Sequence, residues 1–217
     1  MCGRYTITKN REKIEEFFNI KDSDFLYSEI FNAYPSQELP IITSSEKDKM
    51  SFFKWGLIPF WSKDPSISNK LINARSETII EKPSFKPSFK KRRCLVIADG
   101  YYEWKTIGKE KQPYRIKLKT DQLFAMAGIY DFWKDGNDNI IKTFSIITTS
   151  ANDFLSEIHS RMPVIFDQKE QLKLWLDNST DEIKALDMLK TMDSEFFDAE
   201  MVSKKINVPS HNQLEFI

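Results

Sequence analysis

The 217-residue chain is sparing with the residues that mark several common protein classes. Its two cysteines, Cys2 and Cys94, are too few for the disulfide framework of a small secreted domain, and a reducing cytosol would keep both as thiols. Its two histidines, His159 and His211, do not combine with those cysteines in the close paired spacings of structural zinc sites. No metal or other cofactor is therefore expected. No stretch approaches the roughly 18 apolar residues that a membrane helix needs, and the opening MCGRYTITKN lacks the basic segment and apolar run of a secretory signal. A cytoplasmic protein with no membrane partner is expected. A charge of one sign is missing too: 32 basic and 32 acidic side chains cancel, so any nucleic-acid binding has to come from local patches.

Repeats, low-complexity tracts and linkers are also absent, and 41% hydrophobic with 29% charged residues suits one domain over residues 1–217 with a real core, most simply a monomer. Tyr5 to Thr8 alternates like a short strand, and NREKIEEFF sets Ile14, Phe17 and Phe18 at helical spacing. FNAYPSQELPIIT, residues 31–43, has two prolines and no helical period, which suggests an extended loop feeding a short strand. MSFFKWGLIPFW reads as a strand running into a proline-broken aromatic loop. In LINARSETII, Leu71, Ala74 and Thr78 share one side of a short helix. CLVIADGYYEW, PYRIKL, LFAMAGIYDFW and IKTFSIITT read as strands, whereas SANDFLSEI, QLKLWLDN and DEIKALDMLK read as helices. The fold class expected is α+β, a largely antiparallel sheet or open barrel with helices around it.

Several polar residues stand out in this frame. If Met1 is removed, Cys2 carries a thiol and a free α-amine on adjacent carbons. Glu103 lies between Tyr102 and Trp104 near the start of a strand, where it either faces water or is buried for a reason. His159 falls at a helix-to-strand junction, and Arg161 shares its side if the segment is extended. Asn73 and Arg75 show the same spacing, although in a helix they would diverge. KPSFKPSFKKRR places six basic residues and no acid between Lys82 and Arg93, either a solvated loop with aromatic anchors or a phosphate-facing strip. Cys94 reads as a core thiol and His211 as a surface residue. Spacing alone does not show that these groups converge.

MCGRY, GLIPFWSKD, INARSET, RCLVIADGYYEWK, PYRIK, FAMAGIYDFW, TTSAN and IHSRMPVI, in this order, resemble the SOS-response-associated peptidase family from Cys2 to about Val208. That resemblance implies a mixed fold around a β-barrel-like core with a DNA-binding groove. It implies a sensor and shield of abasic sites in single-stranded DNA, single-strand/double-strand junctions included, that bonds covalently to the ring-opened sugar. The α-amine, with an ordinary pKa near 8, would form an imine with the sugar aldehyde, and the thiol would close a thiazolidine ring on it. The imine also opens a route to strand cleavage by β-elimination. Carried over from the family, Asn73 would orient Cys2 and the sugar, Glu103 would give or take a proton at the forming ring, and His159 would assist ring opening. Arg4, Arg75 and Arg161 would grip phosphates, Trp61 would stack on a base, and Pro35 and Pro40 would wedge beside the lesion. A thiol-dependent peptidase acting through Cys2, trimming itself or other chains, and a non-covalent nucleic-acid-binding module are the alternatives.

Overall fold

The computed structural model describes residues 2–21, 27–208 and 212–213; Met1 and His211 lie outside the described residues. Thirteen strands and five α-helices are described. In chain order they are β1 (Tyr5–Ile7), α1 (Arg11–Phe18), β2 (Ile30–Ala33), β3 (Glu38–Thr43), β4 (Glu46–Trp55), β5 (Asn73–Arg75), α2 (Lys86–Lys91), β6 (Arg93–Ala98), β7 (Gly100–Ile107), β8 (Glu110–Leu118), β9 (Phe124–Lys134), β10 (Ile140–Ser150), α3 (Asp153–Ser156), β11 (Arg161–Pro163), β12 (Ile165–Phe166), α4 (Lys169–Leu176), α5 (Glu182–Asp187) and β13 (Phe197–Met201).

The larger sheet closes on itself. β10, β4, β3, β6 and β9 pair in that order, and β9 pairs back to β10, giving a five-strand ring. Four of the five contacts are antiparallel; β4 and β10 run parallel, joined at Thr143 with Lys54 and Phe144 with Trp55. Closure removes the exposed edges an open sheet would leave, and the ring's interior is filled by residues such as Ile41, Val96 and Phe144, all fully buried. The second sheet is antiparallel in the order β13-β8-β7-β1-β2. It is seamed to the barrel at Asp99, between β6 and β7, whose buried carboxylate accepts hydrogen bonds from the hydroxyls of Thr6 and Thr8 and from the backbone N–H of Thr8 and Lys9. That hub fixes β1, and with it the start of the chain.

The helices are short and capped as their sequences suggest. The Asn10 side chain accepts from Lys13 N–H at the start of α1, which buries Ile14 and Phe18, and Asn152 does the same for Leu155 at α3. Gly56 ends β4 with φ +124°, and a Cβ there would lie 2.7 Å from the Ser68 carbonyl oxygen. The chain turns there into the aromatic loop. No described helix is long and apolar enough to cross a membrane.

Two local expectations are corrected. INARSET is a strand followed by a 3-10 turn over Ser76–Thr78, because Asn73, Ala74 and Arg75 pair in parallel with Ile146, Ile147 and Thr148 of β10; sheet pairing overrides the helical spacing. The short strand expected in residues 31–43 is β3, but what precedes it is the end of β2 and a turn at Pro35 and Ser36 rather than an extended loop, and Pro40 lies inside β3 opposite Phe52 and is buried.

Candidate DNA-reactive site

Cys2 precedes β1, is fully buried, and is held by its backbone: the Asn73 side-chain amide donates to the Cys2 carbonyl oxygen over 2.8 Å. Because β5 is an extended strand on β10, Asn73 and Arg75 fall on the same side of it, where a helix would have parted them. Asn73 is buried and Arg75 exposed, so the strand hands the chain from the site to the surface.

Glu103 comes from β7, which pairs with β8, while its neighbour β1 pairs with β7 at Tyr5 and Tyr101. Strand alternation puts Tyr101 and Glu103 on one face and Tyr102 on the other, where it packs against Val202 and Ile206. Glu103 does not face water: it is 3% exposed, and burial pushes its carboxyl up to about 7. A carboxyl of that kind exchanges its proton near neutrality. His159 stands beside it, with Nδ1 3.9 Å from Glu103 Oε1. The Arg161 backbone holds the imidazole, its N–H 3.0 Å and its carbonyl 3.2 Å from Nδ1, and partial burial keeps the ring's pKa below 6.5.

The Cys2 thiol is driven well above its ordinary range by burial, and further by the neighbouring Glu103 carboxylate. It is a neutral thiol at rest that needs a base before it reacts. Tyr5 and Tyr101 flank it, their hydroxyls likewise pushed up by burial and by the Cys2 charge. Neither hydroxyl has a hydrogen-bond partner among the described residues. Neither tyrosine was singled out from the sequence; their place beside the thiol follows from the Tyr5 to Tyr101 pairing. Glu103, Trp104, Lys111, His159 and Asn207 line a cavity of about 440 Å³. A larger one of about 500 Å³, between α1 and α4, contains none of these side chains.

The arginines differ in what they hold. Arg161 on β11 forms a two-pronged pair with Glu77, Nη2 to Oε2 at 2.9 Å, and donates to the Thr148 carbonyl at 2.7 Å. Glu77 had no signal as a site residue, since its partner lies 84 positions away. Arg75 and Arg161 flank β10 from opposite sides, near Thr148. Arg4 turns inward: it donates to Asn32 Oδ1 at 2.8 Å and to the carbonyls of Ile206 and Asn207, with its guanidinium 5.6 Å from the Tyr34 ring centre. Trp61 is 47% exposed on the aromatic loop, Pro35 is half-buried at the β2–β3 turn, and Pro40 is screened inside the sheet. The structure thus gathers Cys2, Asn73, Glu103 and His159, sets Arg75 and Arg161 at their margin, and leaves Pro40 out.

The chain and its α+β fold match one family. A family model described as SOS response associated peptidase (SRAP) matches residues 1–209, and the chain belongs to that family. Over 224 residues it is 42% identical to the abasic site processing protein YoqW of Bacillus subtilis (strain 168), covering 100% of this chain and 99% of the relative. The abasic site processing protein HMCES of Xenopus tropicalis is 31% identical, with 88% of this chain and 69% of that protein covered. Among solved structures, one of a Bacteroides thetaiotaomicron protein superposes with a TM-score of 0.91 at 34% identity, covering 99% of this chain and 97% of that one.

Proposed function

We propose that the protein processes abasic sites in single-stranded DNA by covalent capture, with Cys2 as nucleophile once Met1 is gone. The observation that carries this reading is the gathering of a buried thiol, a carboxyl titrating near neutrality and an imidazole at the start of the chain, with Asn73 fixing the Cys2 backbone. Its support from outside is the family and the abasic site processing names of the relatives.

The chemistry balances as follows. The ring-opened sugar presents an aldehyde; the Cys2 α-amine adds to its carbon, and a protonated Glu103 carboxyl delivers a proton to the departing hydroxyl, which leaves as water. Loss of water leaves a protonated imine; the carboxylate takes the thiol proton, sulfur attacks the imine carbon, and the C=N electron pair returns to the nitrogen, which keeps its one proton, so a C–S bond closes the five-membered ring. Net, one aldehyde and one aminothiol give one thiazolidine and one water. The His159 imidazole, kept neutral by partial burial, accepts the hydroxyl proton in the earlier opening of the sugar hemiacetal. An exposed Arg75 and the forked Arg161 suit phosphates of the bound strand, and Trp61 suits an exposed base. β-Elimination from the imine would make lyase activity a branch of the same path.

The test is incubation of the Met1-processed protein with an abasic oligonucleotide. The expected product is a denaturant-resistant adduct from wild type without any reductant. Cys2→Ala keeps an α-amine but no thiol, so it should give an adduct only when borohydride reduces the imine. A wild-type protein of confirmed N-terminus that yields no adduct sinks the reading. The family name favours a second activity, thiol-dependent removal of residues ahead of Cys2. A chain extended at its N-terminus, followed by mass, tests it.

A further inference from the structure

The basic segment ending at Arg93 is not spent on the Cys2 site. It folds as the α2 helix, anchored by buried Phe85, Ser88 and Phe89, with Lys86 and Lys91 turned outward and exposed. Arg93 drops into the core, where its guanidinium donates to the carbonyls of Trp175 and Asp177. Arg92, one residue earlier, does something different.

A single buried carboxylate, Asp131 at 2% exposure, ties this helix to the aromatic loop. It accepts from the Ser88 hydroxyl at 3.1 Å, from the Arg92 guanidinium at 3.3 Å and from the Phe60 backbone N–H at 3.2 Å. Arg92 in turn lies 5.8 Å from the Phe60 ring centre. Beyond Phe60 the loop is held again, by the Trp133 indole N–H donating to the Ser62 carbonyl over 2.7 Å. Yet Phe60 is 57% exposed and Trp61 47%. Leaving a large aromatic side chain in water forgoes roughly 1.5–3 kcal/mol of burial, and here the fold fixes the backbone of two such rings without covering them.

The loop's backbone is tied to the segment that leads into the site. The loop's Leu57 N–H donates to the Leu71 carbonyl at 3.1 Å, and the Trp55 indole to the Ile72 carbonyl at 2.9 Å, immediately before Asn73. On β10, Asn73 pairs at Ile146 while Asp131 pairs at Thr143, three positions along the strand, or roughly 10 Å.

We infer that Phe60, Arg92, Lys86 and Lys91 extend the DNA path beyond Trp61 as a stacking and phosphate-binding platform for single-stranded DNA leading away from the lesion. Rigid rings offer bases a π-face without regard to sequence, and the two outward lysines meet the backbone charge. The inference deepens the abasic-site reading and rests on it for the direction of the strand; binding of undamaged DNA by the platform does not require Cys2.

The experiment measures affinity for an undamaged oligothymidine of about 12 nucleotides by fluorescence anisotropy across a salt series. It compares wild type, Phe60→Ala, and Lys86→Glu combined with Lys91→Glu, after melting curves show that each is folded. The lysine pair should bind about tenfold more weakly at low salt, with a log–log salt slope shallower by roughly 1.4, the share of two phosphate contacts on a single strand. Phe60→Ala should lose about fivefold or more with its slope unchanged, as one lost stacking contact predicts. Wild-type affinity in both the lysine and Phe60 variants overturns the platform, as does a lysine-pair loss with no change in slope. Adduct formation on a short abasic oligonucleotide separates the two readings. Intact crosslinking with unaltered binding removes the platform alone; no crosslinking by wild type, with weakened variant binding, removes the abasic-site chemistry and leaves the platform standing.

Discussion

The Asn73 amide and the Cys2 carbonyl meet at 2.8 Å, a bond that ties the second residue of the chain to a strand deep in the sequence. It sets the direction in which the Cys2 amine and thiol point. Replacing Asn73 by alanine removes a bond worth about 1 kcal/mol and lets the nucleophile wander, so crosslinking should slow by about 10- to 100-fold. Asn73→Asp should do at least as badly, because a carboxylate cannot donate to the carbonyl. Single-turnover adduct formation at saturating DNA checks both, and wild-type rates would remove Asn73 from the machinery.

Glu103 gives a pH signature. Its carboxyl, ordinarily at 4.5, titrates at about 7 in the fold because it is buried. Between those values the folded chain keeps a proton that the unfolded chain has lost. Stability should therefore fall as pH rises through that window, by roughly 1 kcal/mol per pH unit, and level off above it. Glu103→Gln should flatten that dependence in denaturant titrations. The same variant should lose the high-pH limb of the crosslinking profile near pH 7 if the protonated carboxyl supplies the proton to the leaving hydroxyl.

The Arg161 fork is already filled by a carboxylate, that of Glu77, which the arginine holds below its usual range. A phosphate seeking the same donors has to displace it. Glu77→Gln should accordingly raise affinity for undamaged single-stranded DNA by about two- to fivefold and steepen the salt dependence by less than one contact's worth. The Thr148 carbonyl keeps Arg161 in place in that variant. Reduced affinity would instead show that Glu77 orients the arginine for binding.

Arg4 serves the fold before it serves anything else. With Asn32 and two carbonyls of the last 3-10 turn as partners, Arg4→Ala should destabilise the protein by about 1.5–3 kcal/mol, the range for hydrogen bonds to a charged group. Thermal melting of Arg4→Ala and Arg4→Lys checks this. The lysine variant should recover only part of the loss, since one ammonium cannot span three acceptors.

Gly56 tests the turn that launches the aromatic loop. Alanine there meets the Ser68 carbonyl at 2.7 Å in a conformation that suits only glycine. Gly56→Ala should cost about 1–3 kcal/mol, read by denaturant melts, and loosen the aromatic loop.

What could be read from residues alone follows the range of the interactions. The helix of NREKIEEFF and the strand of LFAMAGIYDFW are local, and they held. Asn73 was legible as a site residue only through family resemblance, and its local spacing pointed to a helix; the parallel pairing of β5 with β10 is a contact across more than seventy positions that no local pattern encodes. For the same reason Glu103 left two readings open. Only the pairing of β1 with β7 shows that it lies beneath Cys2's end of the sheet rather than in water. Pro40 misled in the opposite sense, because β3, which contains it, is set by its pairing with β4 and β6, not by the prolines.

The parallel pairing of β5 with β10 has a consequence in time. β5 gains its partner only when β10 exists, so a ribosome must pass residue 148 before Asn73 can be placed, and it must pass Ile206 before Arg4 finds its carbonyls. On the proposed chemistry, an aminothiol unmasked earlier than that would react without discrimination, and the interval would leave a newly made chain open to capture by any stray aldehyde.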